Sequence, residues 1–305
     1  MEILSSKVFI LKVTSMDLKK YNRYPIVLFA LSWLALVILP LLVVVMMSFL
    51  KTKGIRIKWD WGFYSYMKMI QFGGNDVVFQ TIRIGLTVTL INFLIAFPFA
   101  FWLAKTLKNI SFKLIIFTAL TVPFFLSPVS RVIVWRSILG LDGLLNNFFL
   151  NIGLVDQPIE WLIFSEFAVH LGLMAQYFPS MVWPLYLSLS LIDDETIEAS
   201  LDLGAGILRT TIYVILPLAL PGVVAGVIFC LVPMLGDAVI PQQMGGGNIL
   251  TISHSLSNYI GSRSYVLGAA IASIVLLVLI ILIIILWFVF KPYGGLGKVF
   301  GQMRQ

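Results

Sequence analysis

Six stretches of this chain are each long and apolar enough to cross a bilayer, at about 26–48, 80–104, 112–136, 166–191, 218–240 and 268–290. A span needs roughly 20 mostly apolar residues, and in lipid its backbone must satisfy its own hydrogen bonds, which a helix does internally. The chain is therefore read as an all-α membrane protein with six transmembrane helices. The last stretch, GAAIASIVLLVLIILIIILWFVF, is the clearest. The fourth carries Pro179, Pro184, Glu166, His170 and Gln176, which a span tolerates when neighbouring helices satisfy the freed polar groups. Only 11% of the 305 residues are charged, against roughly 25% in soluble domains. Residues 1–305 thus read as one transmembrane domain with short loops.

An even number of spans puts both termini on one side, and Lys and Arg concentrate on the cytoplasmic side. On the side of the termini stand Lys7, Lys12, Lys19, Lys20, Arg23, Lys105, Lys108, Lys113, Arg209, Lys291, Lys298 and Arg304. The other side has Lys51, Lys53, Arg56, Lys58, Lys68 and Arg263. Cytoplasmic termini follow, and the apolar run after Arg23 is too long for a cleaved signal and reads as a retained first span. Trp59, Trp61, Tyr64, Tyr66 and Trp161 then lie in outward segments as interfacial anchors. The net charge of +7 is explained by orientation, and nucleic acid is not expected as a partner.

The residue inventory excludes much chemistry. Cys230 is the single cysteine, and only His170 and His254 accompany it, so neither an internal disulfide nor a Cys/His metal site is expected. Neither Gly245–Gly246–Gly247 nor the late GGLGK fits a phosphate-cradling loop; in the latter Val299 stands where Ser or Thr is required. Paired catalytic carboxylates, HExxH and a Ser/His arrangement are missing, so no catalytic residue is assigned.

The interruption between the fourth and fifth stretches, residues 192–217, contains EASLDLGAGILRTTIYVILP. Leu201, Ala205, Leu208, Ile212 and Ile215 recur at alternating spacings of four and three, which predicts one apolar helical face. Asp193, Asp194 and Glu195 sit near its start, where carboxylates favour the helix dipole. Gly204 and Gly206 permit a bend or a close backbone approach, and Pro217 ends the run.

Glu198-Ala199-Ser200, three residues, Gly204, nine residues, then Val214-Ile215-Leu216-Pro217 resembles the EAA loop of permease subunits of type I ABC importers, with Ser and Val as mild departures. The likeness runs from the first span to the sixth. VPFFLSPVSRVIVWRSILGLDGLLNNFFLNIGLVDQPIEW and VPMLGDAVIPQQMGGG resemble segments of the first permease subunit of spermidine/putrescine importers. The resemblance implies the type I ABC importer permease fold, with 192–217 as a cytoplasmic coupling loop. Glu198, Ala199, Ser200, Asp202, Gly204 and Ala205 would meet a separate ATPase, and Leu216 and Pro217 would fix the exit into the fifth span. It further implies a second homologous permease, two copies of an ATP-binding subunit, a periplasmic or lipid-anchored solute-binding protein, and residence in a bacterial inner membrane. ATP and Mg would be bound by the partner ATPase, with no cofactor in this chain. Polyamine, or a related amine, is the implied cargo.

Within the spans, Asp237 is expected either to attract a cationic solute or to pair with Arg131 or Arg136. Trp135 and Tyr177 offer aromatic faces to an ammonium group or serve as packing. His170 is read as an interhelical hydrogen-bonding residue, or as a proton relay. The alternative to an ATP-driven importer is an ion-coupled secondary transporter acting alone, with Asp237 and His170 as proton sites.

Overall fold

A computed structural model describes residues 24–53 and 56–290. Lys7 to Arg23 and Lys291 to Arg304, which weigh in the orientation argument, and the GGLGK stretch lie outside them. The chain divides into two compact units, residues 1–46 and 47–305. The first is represented by most of α1 (Tyr24–Ser48), an apolar helix containing Pro40.

The second unit opens with a short antiparallel ribbon, β1 (Lys51–Lys53) and β2 (Arg56–Lys58). Then come α2 (Tyr64–Gln71), α3 (Gly74–Phe101) with a π-helical last turn Trp102–Thr106, α4 (Ile110–Phe125), α5 (Pro128–Leu139), α6 (Leu144–Asn151) and α7 (Glu166–Ser190). Next are α8 (Asp194–Asp202), α9 (Ile207–Thr210), a π-helical turn Thr211–Ile215 and α10 (Leu216–Leu218). The unit ends with α11 (Leu220–Leu235), α12 (Val239–Met244), α13 (Ile252–Gly261) and α14 (Tyr265–Phe290).

The core is α7 packed between α3 and α11. Val88, Ala96 and Ala100 of α3, Val169, Met181, Leu185 and Leu189 of α7, and Cys230 of α11 are all buried in it. Close approach of α11 to α7 depends on two glycines four residues apart. A Cβ on Gly222 would come within 2.5 Å of the Pro184 carbonyl oxygen, and one on Gly226 within 2.8 Å of Met181 Sδ. Small residues at this spacing let helix backbones meet where lipid gives no hydrophobic drive for association. A smaller apolar cluster joins α2, α13 and α14 through Met69, Ile252 and Ile271.

By length and composition, α1, α3 and α14 can cross a membrane, and up to five spans result if each of two bent helix pairs counts once. The stretch 112–136, expected as one helix, is instead two. α4 ends at Phe125, Ser127 accepts a hydrogen bond from the Ser130 N–H, and Pro128 starts α5; α4 and the stretch Pro128–Asn151 meet at a bend of 107°. Ser at an N-cap with Pro at the first helical position is a strong restart signal. The stretch 218–240 likewise breaks at both ends. Residues 207–218 meet α11 at 74°, and α11 stops at Leu235 before α12 begins at Val239. α7 is a single helix through both prolines. It is not among the helices apolar enough by composition to span alone; its polar residues find partners in the protein packed around it.

Candidate coupling loop and solute path

At the far end of α7 the chain turns into a projecting knob. Asp194 and Glu195 occupy the first turn of α8. Gly204 closes the helix with φ +82° while the Ala205 N–H donates to the Ser200 carbonyl (3.2 Å) and the Gly204 N–H to that of Leu201 (2.9 Å). This is a Schellman ending, whose left-handed residue is usually Gly. The expected single amphipathic face over Leu201–Ile215 is therefore corrected. The chain reverses its helical path at Leu203–Gly206, so Leu201 and Leu208 no longer share a face, and both are exposed while Ile215 is buried.

The two arms are tied at the base. Ser200 and Thr210 hydroxyls lie 3.0 Å apart, and Ile192, Thr210, Ile215 and Ala219 are buried. The tip carries Leu203, 89% exposed, with Ile207, Leu208 and Tyr213 also exposed. Of the expected coupling residues, Glu198, Ala199, Asp202, Gly204 and Pro217 are exposed, and Ser200, Ala205 and Leu216 are half-buried. No heavy atom lies within 4 Å of a Cβ built on Gly204, so the space beside it is open.

Sequence reasoning missed the residue that aims this knob. Lys105, in the π-helical last turn of α3, donates from Nζ to the Ile192 carbonyl and to Asp194 Oδ1 (2.7 Å). Its side chain is only 12% exposed. One ammonium thus fastens the α7–α8 corner to α3. The contact spans 89 residues of sequence, and the charge of Lys105 alone signalled only membrane orientation.

At the opposite end of α3 and α7 the joint is polar. Arg83 pairs with Glu166 at 2.7 Å, His170 Nδ1 donates to the Glu166 carbonyl at 2.8 Å, and His170 Nε2 lies 3.0 Å from the Thr87 hydroxyl. His170 is therefore an interhelical hydrogen-bonding residue. Nearby, Asn146 is fully buried and staples the loop after α5. Its Nδ2 donates to the Gly140 and Ile159 carbonyls, and its Oδ1 accepts from the Ile159 N–H.

Of the residues expected along the solute path, Tyr177 and Asp237 are brought together. The Tyr177 hydroxyl donates to Asp237 Oδ2 at 3.0 Å, and Asp237 Oδ1 accepts from the N–H groups of Val239 and Ile240 at 2.8 and 3.2 Å. The expected ion pair of Asp237 with Arg131 or Arg136 is corrected. Among the described residues neither arginine comes within 4 Å of a carboxylate. Asp237 sits where α11 breaks, and the free backbone donors of α12 hold it there. Arg131 is near enough to interact electrostatically with Tyr177 and Asp237, and its Nε is buried without a hydrogen-bond partner. Arg136 instead donates to Gln243 Oε1 at 3.0 Å and lies over the Phe164 ring. Trp135 packs, half-buried, against the core. No group of three or more His, Cys, Asp or Glu able to hold a metal occurs among the described residues.

A helical bundle with α7 enclosed, a knob between its fourth and fifth apolar stretches and broken helices beside a half-buried carboxylate defines a membrane permease subunit. The chain belongs to the family described as binding-protein-dependent transport system inner membrane component, whose model matches residues 92–291. It is 33% identical over 242 residues to the spermidine/putrescine transport system permease protein PotB of Escherichia coli, covering 78% of this chain and 87% of that protein. It is 30% identical over 250 residues to PotB of Haemophilus influenzae, covering 79% and 84%. The inner membrane ABC transporter permease protein YdcU of Escherichia coli is 28% identical over 213 residues, covering 66% and 68%. Its fold resembles that of a chain in the crystal structure of a bacterial alginate ABC transporter in complex with alginate pentasaccharide-bound periplasmic protein. There the TM-score is 0.71 with 16% identity, covering 90% of this chain and 95% of that one. The chain is thus an ABC importer permease of the type I fold and a multi-pass inner-membrane protein.

Proposed function

We propose that this chain is the permease subunit through which an ATP-driven importer passes a small solute, most simply a polyamine or related amine, from a periplasmic binding protein to the cytoplasm. It pairs with a second homologous permease and with two ATP-binding subunits that carry ATP and Mg. Membrane lipid surrounds it, both termini are cytoplasmic, and α7 serves as the sixth span. The observation that carries the reading is the knob: a stiff, base-anchored projection whose Glu198, Ala199 and Gly204 are exposed beside a bare apolar tip.

Approach of the two ATP-binding subunits would displace this knob, and the buried base would pass the displacement into α7 and α11 as a rigid-body movement. The cargo assignment is supported by the relatives named for spermidine/putrescine transport. Asp237, Tyr177, Trp135 and Arg131 are proposed to border the solute path, with the Asp237 carboxylate attracting an ammonium group. An ion-coupled transporter acting alone draws no support from His170, whose two ring nitrogens both serve the α3–α7 joint.

The test uses Gly204→Asp and Glu198→Arg in the assembled transporter. Stimulated ATP hydrolysis or assembly should be lost while the subunit still inserts. Unchanged stimulated hydrolysis in both variants refutes the coupling role. Ligand binding by the cognate soluble receptor identifies the cargo.

A further inference from the structure

The smaller apolar cluster, where α2, the start of α3, α13 and α14 meet, encloses a cavity of about 230 Å³. Met69 of α2, Val77 and Val78 of α3, and Ile271 and Ile274 of α14 form its apolar wall. The helices around it are closely set. A Cβ on Gly74, at the first turn of α3, would come within 2.6 Å of Met69 Cγ.

α13 gives the cavity a direction. Ile252, Ser255, Asn258 and Tyr259 line it at spacings of three and four residues, which places them on one helical face. Ile252 is buried, Ser255 half-buried and Asn258 exposed, so this wall runs from an apolar floor to a polar mouth. Phe72, 69% exposed, also lines the cavity, and the Lys68 ammonium lies 5.9 Å from its ring centroid. Among the described residues no carboxylate comes within 4 Å of that ammonium.

Size, polarity and position together select the occupant. The volume lies below the roughly 300–1,000 Å³ of drug-sized sites and suits one narrow chain, whereas a helix with its side chains is about 10–12 Å across. An apolar floor takes an apolar guest and penalises a polar one left without partners. α3 and α14 are both long and apolar enough to cross a membrane, and the cavity touches each near its N-terminal end. Tyr265, which begins α14, is exposed there, as tyrosines are at the bilayer interface. An amphiphile with a long apolar chain is abundant at that depth.

We propose that this cavity holds one acyl chain of an anionic membrane phospholipid, with the Lys68 ammonium at the headgroup phosphate and Asn258 and Tyr259 at the polar linkage between head and chain. The bilayer itself already shelters an acyl chain from water, so the cavity adds packing, and Lys68 supplies most of the preference. The site rests on membrane insertion and not on the importer reading.

The assembled transporter is reconstituted in nanodiscs of phosphatidylcholine containing a small fraction of phosphatidylglycerol that carries a diazirine on one acyl chain. After irradiation and digestion, labelled peptides are quantified by mass spectrometry. Labelling at 69–78, 252–259 and 271–274 should exceed that at the exposed α14 residues Leu277, Ile280 and Ile284 by about fivefold, the effect of one cation on an anionic headgroup. Val78→Phe and Ile274→Phe, which fill the cavity, should each lower its labelling to the level of those α14 residues. Lys68→Gln should lower it by about the same fivefold, and Lys68→Arg should preserve it.

Equal labelling of the cavity and the exposed α14 residues in wild type overturns the proposal, as does undiminished labelling in both filled variants. Unchanged labelling in Lys68→Gln overturns the headgroup contact. A cavity labelled in the isolated chain and unlabelled in the assembled transporter belongs to a partner subunit, which also overturns it. Should the filled variants fail to insert, the wild-type pattern and the two Lys68 variants decide. Transport is measured separately, so a failed lipid result leaves the importer reading standing.

Discussion

Replacing Lys105 by Met should loosen the knob while leaving the bundle folded. The ammonium is largely buried and donates to two acceptors of different kinds. Its partner Asp194 is 70% exposed, so the ion-pair part is screened by water and contributes no more than about 1 kcal/mol. The Ile192 carbonyl belongs to a buried residue, and losing a hydrogen-bond partner there costs about 1–3 kcal/mol. Together the corner loses on the order of 2 kcal/mol. That corresponds to about a 30-fold rise in the population of a locally open α8.

Amide hydrogen exchange followed by mass spectrometry reads this directly, because local opening free energies differ across a structure. Peptides covering 194–204 should lose protection by that factor, and those from the middles of α3, α7 and α11 should not change. Lys105→Arg, which keeps the charge and can still reach an acceptor, should restore most of the protection. Asp194→Asn should have the smaller effect. Unchanged exchange at 194–204 in Lys105→Met, or a uniform loss throughout the bundle, refutes the reasoning.

Gly222→Ala should destabilise the bundle by about 1–3 kcal/mol, because the added methyl meets the Pro184 carbonyl and Ser188 side chain at 2.5 Å; thermal unfolding in detergent checks this. Gly204→Ala meets no neighbour and should cost only about 1 kcal/mol, from the left-handed backbone alone, seen as a small shift in the same assay. Asn146→Ala leaves the half-buried Ile159 N–H and two carbonyls without their partner. Limited proteolysis should then cut between residues 140 and 163 at least about tenfold faster, the equivalent of one such loss. Asp237→Leu abandons the Tyr177 hydroxyl and two N–H groups, whereas Asp237→Asn keeps an oxygen for the two N–H groups and offers the Tyr177 oxygen an amide N–H that it can accept. Transport lost in both variants, with stability lost only in the Leu variant, assigns the charge itself to the solute path.

The apolar stretches, the knob and its EAA spacing were legible because each rests on local composition or on residues near one another in sequence. The breaks were partly legible. Ser127 followed by Pro128 is a capped helix start, but within a long hydrophobic run it reads as a kink in one span. The amphipathic pattern of 192–217 misled for a related reason. Counting by threes and fours carries straight through Gly204, whose positive φ turns the second half of the count onto another face. Lys105, the Arg83–Glu166 pair and the Tyr177–Asp237 hydrogen bond join residues 60 to 89 positions apart. Nothing in spacing marks such pairs, and only the packing of α3, α7 and α11 reveals them.

The enclosure of α7 bears on how the chain is made. A segment too polar to leave the insertion machinery unaided meets α3, already made, through Arg83–Glu166, and its other flank stays open until α11 arrives to cover it. Ribosome-bound chains ending before Gly222 would hold α7 in a dissolvable, half-admitted state, and completion of α11 would be the event that commits it to the bilayer.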